Sequence, residues 1–526
     1  MKNFLLTFLM LITNHLSATN YYVSPTGSNN NNGLSADKPF KTLQHAADLT
    51  VPGDTVFAMT GTYTNLNTGD NVLNINNSGT ANSWIVYKNH PGNTPVIQLY
   101  DQWAGIQVQG ADYIVIDGFV VIGNNDSITP DYAQSQKNNI NNPATSGNGI
   151  GCAPEYGNSS NKPHHIIIRN CTVSKCGGGG IYSVQGDYLR IENNIVSECA
   201  WYSPYGNSGI SLYQNWNSDS STGIKNYVMG NTCYRNEEYI PVSTAGIITD
   251  GNGIIIDDSR NTQGGSMLGA YIGKTYIANN LVFNNGGRGI HCYSSDKVIV
   301  VNNTCFQNCQ SPSVQDGEFT AYDTDSVSFI NNISFPAYDI RPMNESSTST
   351  YLTVDHNLWA ANSGLANPFG TNTVTNSPDF VLPSDNPSFA NFHLRPGSAA
   401  INAGTHFYAP ATDKDGNNRS ATDSVDIGCY EFNNSEGIIN ISPSENRFLI
   451  YPDPASGIIS LVLDNQGINQ IEVSFYNMAG EKIKTINTIC SDGYATVAIL
   501  ELKPGIYFIA VKTNKNQIAS GRFLKI

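Results

Sequence analysis

Two carboxylates, Asp257 and Asp258, close the apolar run of "GNGIIIDDSRN", and an imidazole, His291, follows a similar Gly-Ile opening in "GGRGIHCYSS". Basic residues stand beside both, Arg260 after the acids and Arg288 before the histidine. These are the groups that move protons next to a sugar ring. In β-elimination on a uronic acid polymer, a base removes the proton beside the carboxylate, a cation or hydrogen-bond donor stabilises the charge that develops, and an acid assists the leaving oxygen. His291 and a neighbouring tyrosine would then be base and acid, Arg288 or Arg260 would hold the substrate carboxylate, and Asp257 with Asp258 would bind Ca2+. Hydrolysis needs two carboxyl groups instead, roughly 6.5–9.5 Å apart in an inverting enzyme. Asp257 would then require Asp258, Asp250 or a loop acid such as Asp219 as its partner.

A repeat positions these groups. The phrases "IIIRNCTVSKC" at 166–176, "LRIENNIVSEC" at 189–199, "YVMGNTCYRN" at 227–236, "YIANNLVFNN" at 276–285 and "VIVVNNTCFQN" at 298–308 share one pattern, with a weaker copy at "VSFINNISF". The step from 170 to 193, and again from 279 to 302, is 23 residues, one coil of a parallel β-helix. Asn170, Asn193, Asn279, Asn302 and Asn331 are therefore expected to stack in one column, bonding along the solenoid and taking the left-handed turn conformation. Cys176 and Cys199 fall one coil apart, where a strand spacing of about 4.8 Å permits either a disulfide or two buried thiols.

A Gly-Ile opening precedes each Asn pair, at Ile150, Ile181, Ile210, Ile254 and Ile290, with Phe319 in the same role. From 181 to 193, 290 to 302 and 319 to 331 the interval is 12 residues, which sets the register. In the coils that open at Ile150, Ile210 and Ile254 the interval is longer, by 8, 8 and 13 residues, so loops rise there from one edge. Period-2 alternation turns Cys152, Ser183, Leu212, Ile256, Cys292 and Ala321 inward and leaves two outward columns. One holds Gly151, Tyr182, Ser211, Ile255, His291 and Thr320, and the other Ala153, Val184, Tyr213, Asp257, Tyr293 and Tyr322. The expected catalytic set is Asp257, Asp258, His291, Tyr293 and Arg288. Tyr182, Tyr213, Tyr322 and Arg260 are expected to contact substrate, and Asp257 with Asp258 to hold Ca2+.

With 13% charged residues and 48 glycines, composition favours stacked β turns over a helical bundle. A net charge of -15 argues against nucleic acid as a partner and requires a cation or a local basic patch for any polyanionic sugar. The ten cysteines include no Cys/His cluster with zinc-like spacing. Met1, Lys2, the apolar stretch from Phe4 to Ile12 and the small residues Ser17 and Ala18 read as a signal peptide over 1–18.

The stretch "YYVSPTGSNNNNGLSADKPFKTLQHAADLTVPGDTVFAMTGTY" resembles the N-terminal signature of pectate-lyase-like β-helix proteins. In that group a short amphipathic helix caps the first coil; Phe40, Leu43, Ala46, Ala47 and Leu49 have helical spacing. The resemblance covers residues 21–360 and implies the fold rather than the reaction. The "DGW" and paired-Asp calcium motif of related pectate lyases is missing, as are the Asn-Gly-Gly-Glu and Lys/Arg signatures of alginate and chondroitin lyase relatives. "DDSR" followed by "GIHC" is only similar to the Asp pair and Gly-His-Gly of polygalacturonase-like hydrolases. Residues 372–432 resemble a module that ends many surface-displayed β-helices; Asp413, Asp415 and Asn417 there build a turn, with Ca2+ binding as the alternative. After a linker at 433–446, residues 447–526 resemble the type A C-terminal sorting domain of the type IX secretion system. The expectation is an all-β chain: a right-handed parallel β-helix over 19–432 with an N-terminal helical cap, then a small β-sandwich. It is expected to be secreted or attached to the outer cell surface, monomeric, and a lyase of a uronic-acid-containing polysaccharide. The alternatives are a β-helix glycoside hydrolase and a non-catalytic glycan binder or adhesin.

Overall fold

Along each coil apolar and polar residues alternate, and Asn, Gly or Asp interrupts the run at fixed places, so the chain forms short strands joined by sharp corners. The computed structural model describes residues 18–360, 369–387, 390–420 and 424–432. Of the C-terminal unit it describes 448–451, 455, 457–463, 470–477, 481–490, 494–513 and 518–525. Residues 1–17 of the expected signal peptide and the linker expected at 433–446 lie outside the described residues. The chain divides into two compact units, Met1–Phe432 and Asn433–Ile526.

Among its described residues the first unit is a parallel β-helix of three long sheets with eleven, nine and ten strands, each inner strand bonding to its equivalents one coil earlier and one coil later. In the nine-stranded sheet Ile150 pairs with Ile181, Ile181 with Ile210, Ile210 with Ile254, Ile254 with Ile290 and Ile290 with Phe319. All six are fully buried, and each such side chain contributes roughly 1.5–3 kcal/mol of transfer free energy. Thr42 caps the helix Leu43–Ala47, which buries Leu43, Ala46 and Ala47. Leu49 lies beyond the helix end and is exposed.

The asparagine columns divide two tasks. Asn170, Asn193, Asn279, Asn302 and Asn331 all take the left-handed conformation, with φ of 52° to 55°. The continuous ladder runs one residue further on, a correction to the expected column. Asn194, Asn231, Asn280, Asn303, Asn332 and Asn357 each pass a side-chain hydrogen bond to the next. The left-handed residue turns the corner and sends its own side chain outward, so the second residue of the pair enters the dry interior. A shorter ladder, Asn236 to Asn285 to Asn308, ends on the buried carboxylate of Glu318. The nine cysteines of the first unit are buried and unbridged, Cys176 and Cys199 included.

At the far end, strands Phe380–Leu382 and Asn391–Leu394 pair antiparallel, and Phe380, Phe392 and Leu394 pack on Phe283, Phe306 and Ile333. Asp413 accepts the amides of Asp415, Asn417 and Glu431. Its carboxylate holds a turn, which leaves the Ca2+ alternative without its central donor. The described residues of the C-terminal unit form a three-stranded and a four-stranded antiparallel sheet, with Ile459 and Leu461 of one sharing a core with Val473, Phe475 and Ile509 of the other.

Candidate active site

The outward face of the nine-stranded sheet is the floor of a cleft of about 830 Å³. Gln263 lines one side of the cleft from the loop at 258–273, which is bonded to the loop at 214–223. A fully buried ion pair, Lys225 Nζ to Asp187 Oδ2 at 2.5 Å, anchors them. Asp187 also accepts the Ser218 hydroxyl from one loop and the Tyr271 hydroxyl from the other, both at 2.6 Å. The opposite wall is tied by Glu238, which accepts the amides of Asn207 and Asp250 at 2.9 and 3.0 Å. Burial and the nearby Asp250 push that carboxyl well above the usual range.

The floor repeats the expected rows. Val184, Tyr213, Asp257, Tyr293 and Tyr322 are successive partners across five strands, as are Tyr182, Ser211, Ile255, His291 and Thr320. Seven of the nine residues expected at the site line the cleft: Tyr182, Tyr213, Asp257, Arg288, His291, Tyr293 and Tyr322. Asp257 is half-buried. Its Oδ1 accepts Gln263 Nε2 at 2.9 Å, and its Oδ2 has no partner among the described residues. Burial, then the charge of Asp250, raises its pKa to about 7. The tyrosines on either side of it, Tyr213 and the 41% exposed Tyr293, place no hydroxyl on a described partner.

His291 is buried on the floor, with Nδ1 2.5 Å from Thr320 Oγ1. Burial, reinforced by the Arg288 charge, holds it well below the usual histidine range, so it is neutral. Arg288 donates through Nε to Asp316 Oδ2 at 2.7 Å and through Nη1 to the Thr249 carbonyl at 2.8 Å. Asp316 in turn accepts the Tyr322 hydroxyl and Asn344 Nδ2. Tyr182 lies over Gly151, where a Cβ would sit 2.3 Å from the ring, and donates its hydroxyl to Gln107.

Asp258 and Arg260 do not belong to the cleft. Asp258 occupies the left-handed corner (φ 50°) that Gln185, Gln214, Ser294 and Asp323 occupy in other coils. Its carboxylate is fully buried. Oδ1 accepts the Thr262 amide and hydroxyl, and Oδ2 accepts the Gln263 amide and Gln214 Nε2. It ties down a wall loop. With both oxygens held and Asp257 engaged by Gln263, the Asp257–Asp258 pair does not fit a Ca2+ site. Among the described residues no three His, Cys, Asp or Glu side chains converge as a metal site. Arg260 is bound to Asp296 and Asp323 at 2.8 and 2.9 Å on the outer corner. Asp219 is held by Tyr188 and Lys225, which lower its pKa to about 2, so it is no candidate acid.

Sequence reasoning missed Gln263, Asp316 and Trp103, all of which bear on the cleft. Asp316 carried a signal: it stands three residues before Phe319, as Arg288 stands two before Ile290, on adjacent coils. Gln263 lies in a loop with no repeating register, and Trp103 precedes the first coil that was aligned.

Residues 21–319 match the family described as Pel9A-like, right handed beta helix region, and residues 449–524 match the secretion system C-terminal sorting domain. The chain is 26% identical over 390 residues to the uncharacterized protein YwoF of Bacillus subtilis (strain 168), across 64% of this chain and 79% of that protein. Similar solved structures include pectate lyase Pel9A, at 20% identity and a TM-score of 0.49 over 80% of this chain and 98% of that one. A rhamnogalacturonan lyase follows at 17% identity and a TM-score of 0.40, over 70% and 92%.

Proposed function

The chain belongs to the Pel9A-like right-handed β-helix family and carries a type IX sorting domain that sends it across the outer membrane, and from that premise we propose that it is a polysaccharide lyase acting on a uronic-acid-containing glycan. One observation carries the reading. A single acid on the outer row, Asp257, has a pKa of about 7 and a free oxygen, between two tyrosines and in the same cleft as Arg288.

A base is most effective when its pKa lies near the working pH. Asp257 meets that condition, whereas His291, held neutral by burial, accepts a proton poorly. The role of base therefore passes from His291 to Asp257. Arg288 meets the substrate carboxylate with the guanidinium edge that Asp316 and Thr249 leave open. Ionised Asp257 takes the proton from C5, the electron pair forms the C4–C5 double bond, and the bond from C4 to the glycosidic oxygen breaks. Tyr293 gives that oxygen its proton. His291, fixed by Thr320, offers a neutral ring edge to the floor of the site. No step uses a bound cation.

Hydrolysis is the second reading, favoured by Asp250, a further carboxyl in the same cleft whose charge helps to raise Asp257. Product analysis separates the two. The full chain is incubated with a panel of uronic-acid glycans, following new reducing ends and the ultraviolet absorbance of unsaturated uronate together. Elimination yields both signals, and reducing ends without absorbance sink the lyase reading. An Asp257→Asn chain that still binds glycan tightly, alongside a wild type that cleaves nothing, points to a binder.

A further inference from the structure

Arg288 is held at two points that reach it from different parts of the chain. Asp316, on the next coil, takes Nε, and the Thr249 carbonyl takes Nη1. A guanidinium is a planar fork. One hydrogen bond lets it pivot about that contact and a second fixes its plane, so the edge left open to a ligand points where the Thr249 carbonyl directs it. The orientation of a single peptide bond thus bears on the site.

No strand holds that peptide. Thr249 and Asp250 lie between the strands Thr232–Tyr234 and Ile254–Asp257, and among the described residues no backbone carbonyl accepts their amides. Both amides go to one side chain instead, Glu238 Oε2, at 3.3 and 3.0 Å. The Asp250 amide and the Thr249 carbonyl belong to the same planar unit. The Glu238 carboxyl, that peptide and the Arg288 guanidinium therefore form one chain of hydrogen bonds, in which each bond polarises the next.

Glu238 is itself firmly placed. It is 1% exposed, its Oε1 accepts the Asn207 amide at 2.9 Å, and the amides of Glu237 and Tyr239 bond to the carbonyls of Cys199 and Trp201. Gly251, with φ of 79°, closes in so tightly that a Cβ there would lie 2.6 Å from the Glu238 nitrogen. Burying a carboxyl is costly. What it supplies here, and an apolar residue could not, is an acceptor for two successive amides that no strand pins.

We infer that Glu238 is a positioning residue for Arg288, acting through the Thr249–Asp250 peptide to aim the guanidinium at the substrate carboxylate. This rests on the proposed role of Arg288 as the partner of that carboxylate.

The test is Glu238→Gln, which keeps the volume and exchanges one acceptor oxygen for a donor that meets amide donors. The full chain is assayed on polygalacturonate or alginate, whichever the wild type cleaves faster or, if it cleaves neither, whichever retards it more in a cast gel. KM, or the dissociation constant from retardation, should rise by roughly tenfold with kcat little changed. Glu238→Gln should add no further loss to Arg288→Ala, because the two act as one unit. A crystal structure of the variant should show Nη1 off the Thr249 carbonyl. A fall in kcat at constant KM, losses that multiply in the double variant, or a guanidinium left in place would make Glu238 a loop staple alone, overturning the inference while leaving a lyase in place. Losses in retardation that do not multiply, without unsaturated product, uphold the inference and sink the lyase reading. An Arg288→Ala chain that cleaves and binds as the wild type does overturns both. If Glu238→Gln does not fold, Glu238→Asp, whose carboxylate stops one methylene short of the peptide, carries the same measurements.

Discussion

Two sets of polar residues repeat once per coil in this solenoid, and they behave in opposite ways. At the asparagine corner the residue type is kept from Asn194 to Asn357, and each side chain bonds to the next in a space closed to solvent. On the cleft floor the type changes from Val184 to Tyr213 to Asp257 to Tyr293, and Asp257 Oδ2 and the Tyr213 and Tyr293 hydroxyls have no partner among the described residues. A buried unpaired group destabilises the native state, whereas an exposed one in a cleft is available to a ligand. Monotony along a solenoid column thus marks structure, and its interruption marks chemistry.

The strongest attempt to break this contrast is Asp257→Asn. The rate of unsaturated product should fall by roughly 10²–10⁴-fold, the usual worth of a general base, while the melting temperature stays near that of the parent. A loss of stability with little loss of rate would move Asp257 to the structural class. Asn280→Ala should do the reverse. It removes the acceptor of the Asn231 amide and side chain and the donor to the Val228 carbonyl and Asn303 Oδ1, which costs about 1–3 kcal/mol, and leaves the turnover of folded molecules unchanged. Unaltered melting would show that the ladder is ornamental.

A residue that acts through another should fall between these two. Asp316→Asn weakens the hold on Arg288, and kcat/KM should drop by roughly tenfold, mostly through KM, with the melting temperature little changed. Glu318, at the end of the shorter ladder, probes the structural side of the contrast through pH. Burial raises its carboxyl from 4.5 to about 8, so the folded state binds more protons than the unfolded chain between those values. Stability should therefore decline as pH rises through that interval. Glu318→Gln should flatten the decline.

The contrast also explains what could be read without coordinates. Interior register depends on a strict two-residue alternation, and the Gly-Ile openings, 12 residues before the Asn corner in three of the coils, locate the floor strands from Ile150 to Phe319. The two adjacent acids are harder, because Asp258 simply follows Asp257 at the strand end and the alternation does not place it. Asp257 is the last strand residue, and Asp258 is the corner, where a left-handed φ sends the side chain under a loop. Alignment with Gln185, Gln214 and Ser294 would have separated them. Arg260 was placed in the cleft by proximity in sequence, yet its partners Asp296 and Asp323 lie on later coils. Loop residues such as Gln263 obey no repeat, so their contacts follow only from the folded path of the wall.

The central claim, that Asp257 is the base of an elimination, is tested most directly by the pH dependence of kcat/KM for unsaturated product. Because the ionised form is active and its pKa is about 7, the rate should climb about tenfold per pH unit below that value and level above it. The Asp257→Asn chain should retain no such limb. A rate that falls through the same range, with reducing ends but no ultraviolet absorbance, would make Asp257 a proton donor in hydrolysis and contradict the account.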